Sequence, residues 1–206
     1  HGSGIFFHLE ELKSVFEGIK DLLLQNGSLV AEFIYLPSMI TNCAYDQIYH
    51  EHLLYYTLHS FQNLLNQFNL EIYDASLNPI HGGSCIAYIT HSGVCKKTNR
   101  LLTILEEELN QGINEIETYE CFAKTIQLNR VRMVKLINEI RSDNKSIQAY
   151  GAPVKGSTII NFCNLTKNHI ECGVEINPHK INTYYPGTDI PVLDENEIDS
   201  PNFYLL

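Results

Sequence analysis

Positive charge is scarce in this chain. Of its 206 residues only 14 are Lys or Arg, against 24 Asp or Glu, for a formal charge of −10. The average field therefore repels DNA, RNA and anionic membranes, so no nucleic-acid or membrane partner is expected. Any anionic ligand must be held locally, by a few placed cations and backbone amides. Long apolar runs are missing too: none approaches the ~18–20 residues that span a bilayer. No basic start leads into an apolar segment, so no signal peptide is visible. The six Cys, at positions 43, 85, 95, 121, 163 and 172, form no C-x-x-C pair. They read as reduced core thiols of a cytoplasmic protein, not as a disulfide scaffold. What is present, 44% hydrophobic residues with 18% charged, is enough to build a sizeable core and excludes global disorder.

Periodicity gives an alternating α/β order. Apolar residues at Leu12, Val15, Phe16, Ile19, Leu22 and Leu23 fall at helical spacing, and Asn26-Gly27 stops that helix. Ser28 to Leu36 reads as a strand buried on both faces and bounded by Pro37. The start, His1 to Gly4, reads as a loop or a vector-derived remnant, and Ile5-Phe6-Phe7 as the end of a parallel strand. Tyr45 to Thr57 is an ordered loop entering a helix at Leu58 to Phe68, with Ser60 as its N-cap. Leu70–Leu77 and Ser84–His91 alternate and form a hairpin around Asn78 to Gly83. Helical spacing returns over 99–110 and 114–142, the latter as one helix or two. Then come a strand at 146–150, a helix at 155–165 and a strand at 170–176, a parallel crossover. A Pro- and Asp-rich tail ends in a strand at 203–206. The domain reading is 1–95, a helical connector over 96–145, and an α/β domain over 146–206.

Three clusters carry chemistry. Tyr49-His50-Glu51-His52 suits a general base with an orienting carboxylate and a hydroxyl donor, or else a helix start with surface His residues. It does not suit zinc, because His50 and His52 stand two apart and diverge on a helix. His8, after the first strand, stands where α/β sheets place active-site groups. Tyr150-Gly151-Ala152-Pro153-Val154-Lys155-Gly156 turns a strand into a helix and offers an anion site, or a tight turn that simply needs glycine. It is not a P-loop, since Lys155 precedes the second Gly. The loop carrying Lys180, Gly187 and Thr188, and the hairpin tip His81-Gly82-Gly83, are each a ligand approach or a plain turn.

Taken in order, these segments resemble the sugar C-methyltransferases that act on nucleotide-linked ketosugars. The stretches are Ile5–Leu9, Ala44–Leu58, Pro79–Ser84, Tyr150–Ser157 and Ile176–Pro191. The resemblance implies the latter part of a class I methyltransferase sheet, ending in an antiparallel hairpin, followed by helices and a smaller Rossmann-like parallel α/β domain. It implies that a base removes a proton α to the sugar ketone and that the enolate carbon attacks the methyl of S-adenosylmethionine. His52 is then the leading base and His8 the second. Tyr49 stabilises the enolate and Glu51 orients His52 or the sugar. Tyr150, Gly151, Lys155 and Gly156 hold the nucleotide-diphosphate sugar with His81, Gly82, Gly83, Lys180, Gly187 and Thr188.

Set against the family, the chain starts near the end of the fourth strand of that sheet. The glycine loop that cradles S-adenosylmethionine and the zinc ligands of the family are not in it. The expectation is a fragment of the methyltransferase, inactive alone and binding no cofactor by itself. The alternative is a non-enzymatic nucleotide-sugar-binding module, and a homo-oligomer is compatible with either.

Overall fold

A computed structural model describes residues 1–205; for His81 it describes the backbone alone. The fold is mixed α/β, with two mixed sheets. The chain forms two compact units, one of residues 1–45 and 50–122, the other of residues 46–49 and 123–206.

The first unit holds strands β1 (Gly2–Ser3), β2 (Leu29–Ile34), β3 (Leu70–Asn78) and β4 (Ser84–His91) in the order β1-β2-β4-β3. β1 runs parallel to β2, and β4 lies antiparallel between β2 and β3. This is the hairpin ending expected of a methyltransferase sheet. One face is mostly apolar: Ala31 and Phe33 stand opposite Ala87 and Cys85, with Ile72 opposite Ile89. Helices α1 (Leu12–Leu22) and α3 (Leu58–Asn66) contribute Phe16, Phe61 and Leu65 to the buried core. Phe61 is the centre of an aromatic cluster, its ring 4.7–6.0 Å from those of Phe6, Phe16, Phe33 and Tyr56.

Several local expectations are corrected. His1 to Gly4 is not a loop throughout, since Gly2 and Ser3 pair with Ala31 and Glu32. The strand at 5–7 is instead a turn, closed by His8 N–H donating to the Ile5 carbonyl at 3.0 Å. Glycine hides a strand from propensity reasoning, and here the partner strand supplies the pairing. The strand over 28–36 is not buried on both faces, for Val30 and Glu32 are half-buried. The carboxylate of Glu32 accepts from Ser3 Oγ (2.5 Å) and Ser84 Oγ (2.9 Å). Pro37 does not merely end that strand: it opens helix α2 (Leu36–Thr41) in the first turn, where its missing N–H costs nothing. The cap of α3 is Thr57, and Ser60 is its reciprocal partner three residues on. Helix α4 (Asn99–Asn110) follows the sheet, and 114–142 resolves into one helix, α5 (Ile116–Ser142).

In the second unit, β5 (Ile147–Tyr150), β6 (Gly173–Glu175), β8 (Pro191–Asp194) and β9 (Phe203–Leu205) are parallel. β7 (Thr183–Tyr184) is an antiparallel edge on β8, giving the order β7-β8-β6-β5-β9. The last position of the strand expected at 203–206 lies outside the described residues. β7 and β8 lie in the stretch read as tail; Pro191 is tolerated because it is the first residue of its strand. Helix α6 (Val154–Phe162) joins β5 to β6. Ile147, Ala149, Ile160, Ile170, Tyr185, Ile190 and Val192 form the core with Ile137 of α5. Of the six Cys, Cys85, Cys163 and Cys172 are buried, Cys43 is half-buried, and Cys95 and Cys121 are exposed, so the expectation of core thiols holds for three of them.

No helix among the described residues is long and apolar enough to cross a membrane.

Candidate functional site

In the first unit the turn after β1 brings His8 to the segment that follows His50. Leu53 N–H donates to the Phe7 carbonyl (2.8 Å) and pins the two segments together. His8 Nδ1 lies 2.6 Å from the Glu51 carbonyl oxygen. A carbonyl only accepts, so Nδ1 carries the hydrogen, and His8 is held with Nε2 as its free nitrogen. His52 is buried, 7% exposed. Its ring packs 4.8 Å from Phe7, 5.0 Å from His8 and 6.5 Å from Tyr55, centroid to centroid. His8, Glu51 and His52 therefore come together at the carboxyl end of β1. Tyr49 belongs to the second unit. Glu51 orients His8 through its backbone, while its side chain is exposed. A cavity of about 220 Å³ lies beside this cluster, lined by Phe7, Ser3, Glu32, Phe33, Ile80 and Ser84. Spacing alone gave no sign of Glu32; an acid inside an apolar strand run was the available signal.

The hairpin tip is shaped by packing. A Cβ on Gly83 (φ +122°) sits 2.2 Å from Ser38 Cβ, and Gly82 O accepts from Asn42 Nδ2 at 2.8 Å. The side chain of His81 lies outside the described residues.

In the second unit the turn from β5 into α6 is clamped from three sides. Glu175 Oε2 accepts from Ala152 N–H (3.1 Å), and Lys180 Nζ donates to Ala152 O (2.9 Å) while lying 3.6 Å from Glu175 Oε2. The Tyr185 hydroxyl donates to Gly151 O. Burial pushes the Tyr185 hydroxyl up to about 12, so it keeps the proton it donates. Gly173 makes room for this ring, since a Cβ there sits 2.6 Å from Tyr185 Cε2. Under the clamp lies a cavity of about 220 Å³ lined by Tyr150, Gly151, Lys155 and Gly156, with Asp46, Ile159 and Leu205 among the rest. Lys180 grips the turn with its amine. Gly187 and Thr188 line a separate hollow with Asn161 and Asp189, where Asn161 Nδ2 donates to Pro186 O.

Burial alone raises the Glu175 carboxyl, but the amides of Ala152, Asn177 and Ile176 and the charge of Lys180 outweigh it and hold the group below its ordinary 4.5. A depressed carboxylate stabilises the fold fully above its unfolded pKa, and the contribution is lost as pH falls through the folded value. Glu175→Gln is thus expected to lower stability at neutral pH by ~1–3 kcal/mol. Its deficit should shrink as pH drops below about 4.5. Thermal melts against pH check this; a deficit that is constant with pH contradicts it.

Among the described residues no group of three or more His, Cys, Asp or Glu side chains is placed to hold a metal ion.

Two comparisons bear on this geometry. The chain is 29% identical over 209 residues to "C-methyltransferase NovU" of Streptomyces niveus, covering 100% of this chain and 50% of that protein. It therefore spans about half the length of the curated relative it matches. A family model described as the C-methyltransferase C-terminal domain covers residues 79–206, from the hairpin tip through the clamped turn to the last strand. More than half of the chain lies within that match, and the chain belongs to the C-methyltransferase family, by way of its C-terminal domain.

Proposed function

We propose that this chain is the substrate-handling part of an S-adenosylmethionine-dependent C-methyltransferase acting on a nucleotide-linked ketosugar in the cytoplasm. The observation that carries the reading is the pair of imidazoles, His52 and His8, 5.0 Å apart beside the carboxyl end of β1. A carbon next to a ketone is no nucleophile until a base removes its proton, and a buried imidazole is suited to that work.

In this reading His52 takes the α proton onto its ring nitrogen, and the electron pair of the broken C–H bond moves onto the ketone oxygen. His8, held through Nδ1 by Glu51, positions His52 and is the reserve base, and the Glu51 side chain is free to meet a sugar hydroxyl. Lys155, at the start of α6, takes the diphosphate with Tyr150, Gly151 and Gly156. The described residues do not themselves fit S-adenosylmethionine. β1 reaches α1 through residues 4–11 with a single glycine, β2 reaches α2 through Tyr35 alone, and neither is a glycine-rich cradle. The steps assigned here to this chain's own residues end at the enolate.

Lys155→Ala is expected to weaken nucleoside-diphosphate binding by ~1–3 kcal/mol, the worth of a charge-assisted contact. Calorimetric titration of the variant checks it, and unchanged affinity places the phosphates elsewhere. S-Adenosylmethionine itself is expected to give no saturable isotherm at micromolar concentration with this chain alone.

A further inference from the structure

The cavity in the second unit owes its place to the strand order. From β5 the chain moves to β6 and then β8 on one side, and returns to β9 on the other. The crevice past the carboxyl ends of β5 and β9 is thus the point at which the connections diverge, where open parallel sheets bind ligands. Ala149 and Tyr150 of β5 and Leu205 of β9 line it. At about 220 Å³ it is smaller than the ~300–1,000 Å³ of sites that enclose a whole drug-sized ligand. It takes one moiety of something larger.

Most of the lining is apolar, and two of its side chains are charged: Lys155 and Asp46. Neither side chain has an ion-pair or hydrogen-bond partner among the described residues. In sheets of this kind a carboxylate at the end of the second strand, about 20 residues past the glycines, bonds a ribose hydroxyl. Glu175 stands in that place at the end of β6. Its oxygens, however, accept from the amides of Ala152, Ile176 and Asn177, and Lys180 faces them. It is spent on the turn, which leaves Asp46 as the carboxylate that lines the cavity.

We propose that Asp46 recognises ribose: its carboxylate accepts a hydrogen bond from a ribose hydroxyl of a nucleoside diphosphate whose phosphates lie at Lys155. This rests on the nucleotide reading above. A carboxylate repels a bare phosphate, so Asp46 helps only a ligand that carries a hydroxyl donor next to its anion. That sign difference makes the assignment testable.

The experiment is calorimetric titration of the full chain with uridine diphosphate and, separately, with inorganic pyrophosphate, in wild type, Asp46→Ala and Lys155→Ala. Asp46→Ala is expected to weaken uridine diphosphate at least about tenfold and to leave pyrophosphate unchanged or bound more tightly. Lys155→Ala weakens both. If Asp46→Ala binds uridine diphosphate as wild type does while Lys155→Ala does not, the Asp46 assignment is overturned and the nucleotide reading stands. Loss of both ligands in Asp46→Ala marks a structural role and also overturns it. Absence of saturable uridine diphosphate binding in wild type overturns the nucleotide reading together with the inference.

Discussion

Replacing His52 by Asn in the complete parent enzyme is expected to lower turnover by ~10²-fold or more while substrate affinity stays nearly unchanged. A base acts in the transition state and little in the ground state, so its loss falls on kcat and not on binding. Asn keeps a polar side chain of similar size in the buried site beside Phe7 and His8, which limits the structural cost. Exchange of the sugar α-hydrogen with solvent, measured without a methyl donor, isolates the proton step. Wild-type exchange in His52→Asn removes His52 from the mechanism and moves the base to His8, whose tautomer is already held by the Glu51 carbonyl. A purely structural cluster gives the reverse pattern: a lower melting temperature with activity per folded molecule retained.

Gly83→Ala carries the largest expected effect on stability. Two costs add at this position. The backbone sits at φ +122°, where an L side chain is strained, and the new methyl overlaps Ser38 Cβ at 2.2 Å. Each is worth ~1–3 kcal/mol, so a loss of about 3 kcal/mol or more is expected. For a chain of this size that is roughly 6–12 °C in melting temperature. The position also holds the tip in place, since Gly83 N–H donates to Ile80 O and Gly83 O accepts from Tyr35 N–H. Adding Ser38→Gly to Gly83→Ala removes the overlap and not the strain, so the double variant should recover part of the loss. If Gly83→Ala melts like wild type, the close approach to Ser38 is wrong. If the double variant recovers nothing, backbone conformation alone governs the position.

Much of the architecture was legible in the residues because it rests on local periodicity. The apolar spacing of α1 and α4 and the alternation of β3 and β4 are signals that a short window of sequence contains. Hydrophobic patterning likewise located β5, α6 and the shortened β6. Glu51, His52 and the clamped turn were visible as candidates because Tyr49-His50-Glu51-His52 and the Gly151–Gly156 turn are contiguous motifs. Elements that exist only through a partner were not visible. β1 is glycine and serine and becomes a strand because β2 offers its edge, while β7 and β8 emerge from a Pro- and Asp-rich stretch by docking beside β6.

The sequence by itself determined the α/β class, the family resemblance and the residue types available for chemistry. Only the tertiary structure decided what those residues are used for. Lys180 and Glu175 are distant in sequence from Ala152, yet they spend their charges on its peptide group. Gly83 is glycine because of Ser38, forty-five positions earlier. Asp46 meets the turn after β5 because a short segment near the start of the chain belongs to the second unit. Which polar groups are satisfied and which are left facing a cavity depends on contacts between residues far apart in the chain, and a pattern within one segment holds no record of its distant partner.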